Sequence, residues 1–369
     1  MIDEQRAAAR ASMRSQLIAV SGESLLRRGR ILEELRSVHV ETSSDDKFKH
    51  ELDRLVAHLS VEDAQEGYAL IVTGLSGAGK STIIKHHTSE HRAFQTFKDE
   101  HGRDINRALF VQTPAGCTMK SLGEAILERV GYRLARELSD TAIWRQVSEM
   151  LYRQRYQVII FDEFQHALTA PTSKGVGYVT DTFKTLMQDP SWPIWVIASG
   201  VPQVQELIER DKWDQMSRRA PVLHIDSIEF ATQDSEGDEE SVIEVLETLA
   251  DIARLRIAIP LEQDFIHRLI HGGASRWGMT IQLIKLAIEA VLFSDEYDSP
   301  DFPHELRYEN FVTGYRMLSN CKPETNVFLS EQWRQIQREV TPDKKLATIS
   351  GPSPSAERKA RRKVSEKDA

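Results

Sequence analysis

Gly74-Leu75-Ser76-Gly77-Ala78-Gly79-Lys80-Ser81 has the spacing of a P-loop, and it follows an apolar run at residues 68–72 that reads as a buried strand. The residue types answer to a phosphate. Glycines let the backbone curl so that successive N–H groups face an anion. Lys80 then reaches the β/γ-phosphates, and Ser81 offers its hydroxyl to Mg²⁺ at the start of the next helix. Gly74, Ser76, Gly77, Ala78, Gly79, Lys80, Ser81 and Thr82 are therefore expected to hold a nucleotide, against the alternative of a glycine-rich turn with no ligand.

Outward from this loop, strand signals recur with helical segments between them. Residues 108–112 read as a second strand, and Val158-Ile159-Ile160-Phe161-Asp162-Glu163 as a third, four apolar residues closed by two acids. A hard cation needs oxygen ligands, which Asp162 supplies, and Glu163 beside it can orient and polarise an attacking water. The alternative is a strand that simply exits into solvent through charged residues. His166, two residues on, reads as structural or solvent-facing rather than catalytic. A fourth strand at residues 194–200 ends in Ser199, either a sensor between the acids and the γ-phosphate or an ordinary turn serine. Arg218 and Arg219 precede a short fifth strand at residues 222–225. They form either a solvated turn or an arginine finger offered to the nucleotide of a neighbouring subunit. Strands alternating with helices predict a parallel sheet covered on both faces, with ligands at the carboxyl ends of its strands.

Length and composition set the frame. The chain has 369 residues, 40% of them apolar and 28% charged, which suits one large or two modest soluble domains with tails. The formal net charge of -9 excludes a protein that coats nucleic acid indiscriminately, so any such binding must use a local basic surface. Two cysteines, Cys117 and Cys321, give no disulfide framework, and neither a signal-peptide pattern nor an apolar run long enough to span a bilayer is present. A cytoplasmic protein without membrane contact is the expectation.

The flanks differ from the centre. Residues 1–45 are polar, arginine-rich and helix-prone. Phe48, Leu52, Leu55, Val56 and Leu59 then keep helical spacing, as a packing helix or a cover over an adenine pocket would. Beyond the acidic stretch around residues 234–240, helices are predicted near residues 240–255, 263–271, 275–293 and 304–318, a small helical lid. Arg276 opens the longest of them, reaching a nucleotide from the lid or lying on the surface. Residues 341–369 carry eight Lys/Arg against four Asp/Glu, which leaves the rest of the chain near -13. A solvated tail is the default there, with a docking peptide or nucleic-acid arm as the sharper option. The division expected is an N-terminal helical extension (1–45), an α/β nucleotide-binding domain (46–230), a helical lid (231–320) and a C-terminal extension (321–369).

The ordered set of residues 74–81, 158–163 and 194–199, Arg218/Arg219 and residues 272–276 resembles the AAA+ ATPases. Asp162-Glu163-Phe164-Gln165-His166, Ser199-Gly200-Val201-Pro202 and Ser217-Arg218-Arg219 look like the TniB/TnsC group of transposition regulators. The resemblance implies an AAA+ P-loop α/β fold with a five-stranded parallel sheet and a helical lid, using ATP and Mg²⁺. It implies a protein that assembles with itself as a ring or helical filament, possibly hexamer-based, on duplex DNA. It also implies recruitment of a DDE-type transposase and a link to a target-selection protein of the TniQ/TnsD kind. Carried over by resemblance, Lys80 and Ser81 bind phosphate and Mg²⁺, Asp162 supports Mg²⁺ and Glu163 is the catalytic base. Ser199 matches the first sensor in place of the commoner Asn or Thr, Arg218 the trans finger with Arg219 as substitute, and Arg276 the second sensor. Lys120 and Ser139 match DNA-facing positions. A replication or repair initiator/loader of the same fold is the competing reading. A P-loop kinase for a small molecule fits the acidic pair and trailing helices less well.

Overall fold

A computed structural model of the chain describes residues 2–62, 66–168, 173–205, 220–232 and 236–337. Arg218, Arg219 and the tail at residues 341–369 lie outside the described residues.

The five expected strands form one sheet: β1 (Ala69–Thr73), β2 (Ala108–Gln112), β3 (Val158–Asp162), β4 (Trp195–Gly200) and β5 (Val222–His224). All pairings are parallel, in the order β2-β3-β4-β1-β5, so β1 lies inside the sheet with β4 and β5 as neighbours. The register sets Val72 opposite Ser199 and Gln112 opposite Asp162, which brings the strand ends that carry the polar residues to one edge.

Side chains alternate along each strand, so each face of the sheet acquires its own core. Ile71, Val111, Ile159, Phe161 and Val196 pack with α5 (Met119–Arg129), α6 (Asp140–Gln154) and α8 (Ser173–Met187). Leu70, Val72, Ile160 and Ile197 face the other way. There they meet Phe48, Leu52 and Leu55 of α3 (Ser43–Leu59) and Ile83 and Ile84 of α4 (Lys80–Glu90). Each such fully buried side chain contributes about 1.5–3 kcal/mol. The stripe on α3 is thus a packing face; the turn before that helix, not the stripe, reaches a cavity.

The third core is the lid. It is built from α9 (Glu239–Ile252), α10 (Gln263–Gly272), α11 (Trp277–Leu292) and α12 (Tyr308–Ser319). Ile31 and Leu35 of α2 (Glu23–Ser37) join this cluster, as do Val327, Phe328 and Trp333 after α12. Lid packing therefore draws on both flanks of the chain. In contrast, α1 (Ile2–Val20) leaves Met13, Leu17 and Val20 exposed. A short α7 (Gln165–Leu168) follows the acidic strand end.

Candidate active site

The P-loop turns out of β1 through two residues that need the left-handed region, Gly77 at φ +78° and Gly79 at φ +103°. Gly79 is the N-cap of α4, and no side-chain cap serves that helix start. No side chain therefore occupies the N-cap position of α4, as an anion-binding helix start requires. Lys80 is buried, and its Nζ donates to the carbonyl oxygens of Gly74 and Leu75 at 2.8 and 2.9 Å.

Two strands over, Asp162 gathers donors. Its Oδ1 accepts from Ser81 Oγ at 2.7 Å, from Ser199 Oγ at 2.8 Å and from the Glu163 N–H at 3.1 Å, while Lys85 Nζ stands 4.0 Å from Oδ2. Ser199 is fully buried, and its hydroxyl is bonded to the acid. The hydroxyl of Ser81 and the carboxylate of Asp162, joined beside the phosphate loop, make a hard-oxygen pair that fits Mg²⁺ with waters completing its shell.

Glu163 departs from the strand. Its φ is +54°, a conformation that costs a non-glycine residue about 1–3 kcal/mol and that turns its side chain out of the β3 alternation. Gln165 Nε2 donates to Glu163 Oε2, and Gln165 Oε1 accepts from the Val201 N–H at 3.3 Å, so the carboxylate is tethered to the turn after β4. His166 is half-buried, its N–H bonded to the Glu163 carbonyl at 3.1 Å, in keeping with a structural position.

From the lid, Arg276 is buried and donates to the Ser76 carbonyl at 2.7 Å, so it belongs to the loop and not to the surface. The approach is closer still two residues on. A Cβ on Gly278 would stand 2.6 Å from the Gly77 oxygen and 3.0 Å from the Gly79 nitrogen, so only glycine permits α11 to rest on the P-loop. Beside this contact lies a cavity of about 150 Å³ between the turn before α3, the start of α4 and the start of α11. Val38, Val40, Ile83, Trp277 and Ile281 give it apolar walls, and Thr82 and Lys285 polar ones. Burial pushes the Lys285 ammonium below its usual pKa, and no carboxylate among the described residues pairs with it. Sequence reasoning named Thr82 as a nucleotide contact but did not bring Val38, Val40, Ile83, Trp277 or Lys285 to the site. Gly278, a glycine in the first turn of an apolar helix, was the one local signal.

Lys120 and Ser139 keep company elsewhere. Lys120, in the first turn of α5, pairs with Glu137 at 2.6 Å, which raises its pKa, and Ser139 caps α6 by accepting from the Ala142 N–H at 3.4 Å. Since α5 and α6 pack side by side, both positions belong to one helical layer.

Residues 30–229, more than half of the chain, match the family model described as "Bacterial TniB protein". The chain belongs to the TniB family. No curated relative matches this TniB-family chain in sequence. Among solved structures it is similar to the ORC2 protein of Aeropyrum pernix in ADPNP–ADP complexes, at 15% identity and a TM-score of 0.51, over 77% of this chain and 69% of that one. It is also similar to Cdc6p of Pyrobaculum aerophilum, at 10% identity and a TM-score of 0.52, over 80% and 73%. At these identities the likeness concerns the fold, and the AAA+ expectation of a five-stranded parallel sheet with a helical lid holds. Among the described residues no helix is long and apolar enough to cross a membrane.

Proposed function

We propose that this TniB-family chain is an ATP-hydrolysing regulator of DNA transposition that assembles on duplex DNA in the cytoplasm and brings a transposase to its target. The observation that carries the chemistry is the single carboxylate oxygen of Asp162 bonded to both Ser81 and Ser199 beside the P-loop. In this reading Gly74, Ser76, Gly77, Ala78, Gly79, Lys80, Ser81 and Thr82 hold the phosphates, and the 150 Å³ cavity takes the base. Ser81 and Asp162 hold Mg²⁺, whose charge offsets that developing on the phosphoryl oxygens. Glu163 orients the attacking water, Ser199 keeps Asp162 in place, and Arg276 reports the nucleotide to the lid. Arg218, or Arg219 in its stead, completes the site of an adjoining subunit in a ring or filament.

Binding to DNA would rest on a restricted basic surface that includes Lys120, with Ser139 beside it. Lys120 must exchange Glu137 for a phosphate, so contact should vary little with base sequence and weaken with salt. The partners in this reading are a DDE-type transposase and a target-selection protein of the TniQ/TnsD kind, with residues 341–369 as the transposase contact.

The test measures ATP hydrolysis with and without duplex DNA, then strand transfer by a DDE-type transposase in the presence of this chain. DNA-stimulated hydrolysis and ATP-dependent stimulation of strand transfer are expected. Lys120→Ala should weaken duplex binding uniformly and flatten the salt slope by about one. Fold likeness to ORC2 and Cdc6p favours the initiator/loader as the second reading. DNA-stimulated hydrolysis with no effect on any transposase would select it, and a phosphorylated small-molecule product would overturn both.

A further inference from the structure

One wall of the 150 Å³ cavity is a stretch of irregular backbone, residues 38–42, that has to be held in place by something other than a helix or a sheet. What holds it is Asp45, in the first turn of α3 and buried to 2% exposure. Its Oδ2 accepts from the Thr42 N–H and hydroxyl, both at 2.8 Å. Its Oδ1 is bonded to His39 Nε2 at 2.6 Å and to His87 Nε2 at 2.8 Å. His39 belongs to the wall itself, whereas His87 stands two turns along α4, the helix that Lys80 and Ser81 open. The His86 ring stacks on His39 with centroids 3.9 Å apart and fixes its plane. One carboxylate thus joins the cavity wall to the phosphate-binding helix.

Burial alone would raise the Asp45 pKa, but the bonds from His39, Thr42 and His87 bring it down to about 2, so the acid is ionised wherever the protein functions. Two imidazoles and a carboxylate also make a conceivable metal-ligand set. The distances argue against it. Ligands bound about 2.0–2.1 Å from a tetrahedral ion stand about 3.3 Å apart. Separations of 2.6 and 2.8 Å are those of proton-bearing nitrogens on an oxygen.

We propose that Asp45, with His39 and His87, is a positioning unit that sets the base wall relative to the P-loop helix, and that it confers affinity for a purine nucleotide without touching the phosphates. The inference rests on the nucleotide reading of the site. Its consequence is a division of labour. Phosphate binding needs α4 and the loop, whereas base binding needs residues 38–42 pinned at the right distance from Ile83 and Trp277. Loss of the clamp leaves the first intact and releases the second.

The test compares ATP with tripolyphosphate, which lacks a base, by titration calorimetry on the full chain in Mg²⁺ buffer, alongside steady-state hydrolysis. Asp45→Ala should weaken ATP about tenfold or more, as loss of hydrogen bonds to a charged group does, and leave tripolyphosphate affinity unchanged. KM should rise with kcat kept. His39→Ala and His87→Ala should each give part of the loss, and His87→Gln, which keeps an N–H donor, should recover some of it. If Asp45→Ala does not fold, the two histidine variants carry the comparison. Equal loss of both ligands in folded variants, or none of either, would overturn the positioning role. Saturable Co²⁺ absorption that His87→Ala abolishes would overturn the proton-bonded clamp in favour of a metal site. A wild-type chain that binds tripolyphosphate and ATP equally would overturn this inference alone, whereas one that binds neither would remove the nucleotide reading with it.

Discussion

At the proposed phosphate end of the site, Asp162 and Ser199 come from the carboxyl-end halves of two adjacent strands, and Lys80 and Ser81 from the helix start that follows the next strand over, each in a short run that declares its chemistry. At the proposed base end, the walls come from residues 38–45, 78–83 and 277–285, three segments far apart in the chain. The contrast follows from what each ligand part demands. A triphosphate with its cation requires particular atoms, hence particular residue types at fixed spacing. A flat apolar base requires a slot of the right width, which many residues can line and which only tertiary packing assembles.

The comparison breaks hardest at the phosphate end. Lys80→Ala should abolish binding of ATP and tripolyphosphate alike. Glu163→Gln should leave both affinities near wild type while hydrolysis falls about 10²–10⁴-fold, the scale of a lost general base. Equal loss of binding in both variants would remove Glu163 from the reaction.

Gly278 is where the two ends meet, and a variant there sharpens the distinction. Gly278→Val drives a side chain into the Gly77 oxygen, so α11 must lift from the P-loop. Overpacking of this kind costs about 1–3 kcal/mol. A lower melting temperature is expected, together with loss of ATP affinity, because the lid supplies Trp277 and Ile281 to the cavity and Arg276 to the P-loop. An unchanged melting temperature would mean that the lid does not rest on the loop in solution.

Acid titration probes the base end without a mutation. The folded Asp45 carboxyl has a pKa of about 2 against an ordinary 3.8, so its contribution is complete above the higher value and is lost as pH falls through the lower. The difference corresponds to about 2 kcal/mol of stability. Denaturant melts of wild type and Asp45→Ala should therefore differ most above pH 4 and converge toward pH 2. Parallel pH profiles would show that Asp45 is not the group responsible.

The sheet was legible in the chain because each strand is a closed apolar run with a polar end, and every one of the five occurs where the run predicts it. Asp162 and Ser199 were legible for the same reason, since a charged or hydroxyl residue ending a buried strand has few structural uses. The cavity wall was not. His39, Asp45 and His87 carry no common spacing, and the capping pattern of Thr42 and Asp45 is what any helix start would show. Nor do Ile31, Leu35, Val327 and Trp333 announce that they complete the lid core, because an amphipathic stripe tells that a face is buried and not what covers it.

Glu163 sits at φ +54°, where glycine or asparagine would be at ease. The chain thus keeps a glutamate where selection for durability alone would replace it. A library screened only for resistance to heat should enrich Glu163→Gly and Glu163→Asn, and on the role proposed for Glu163 the survivors would bind ATP without hydrolysing it. On that reading, durability and turnover pull on one backbone angle of this chain.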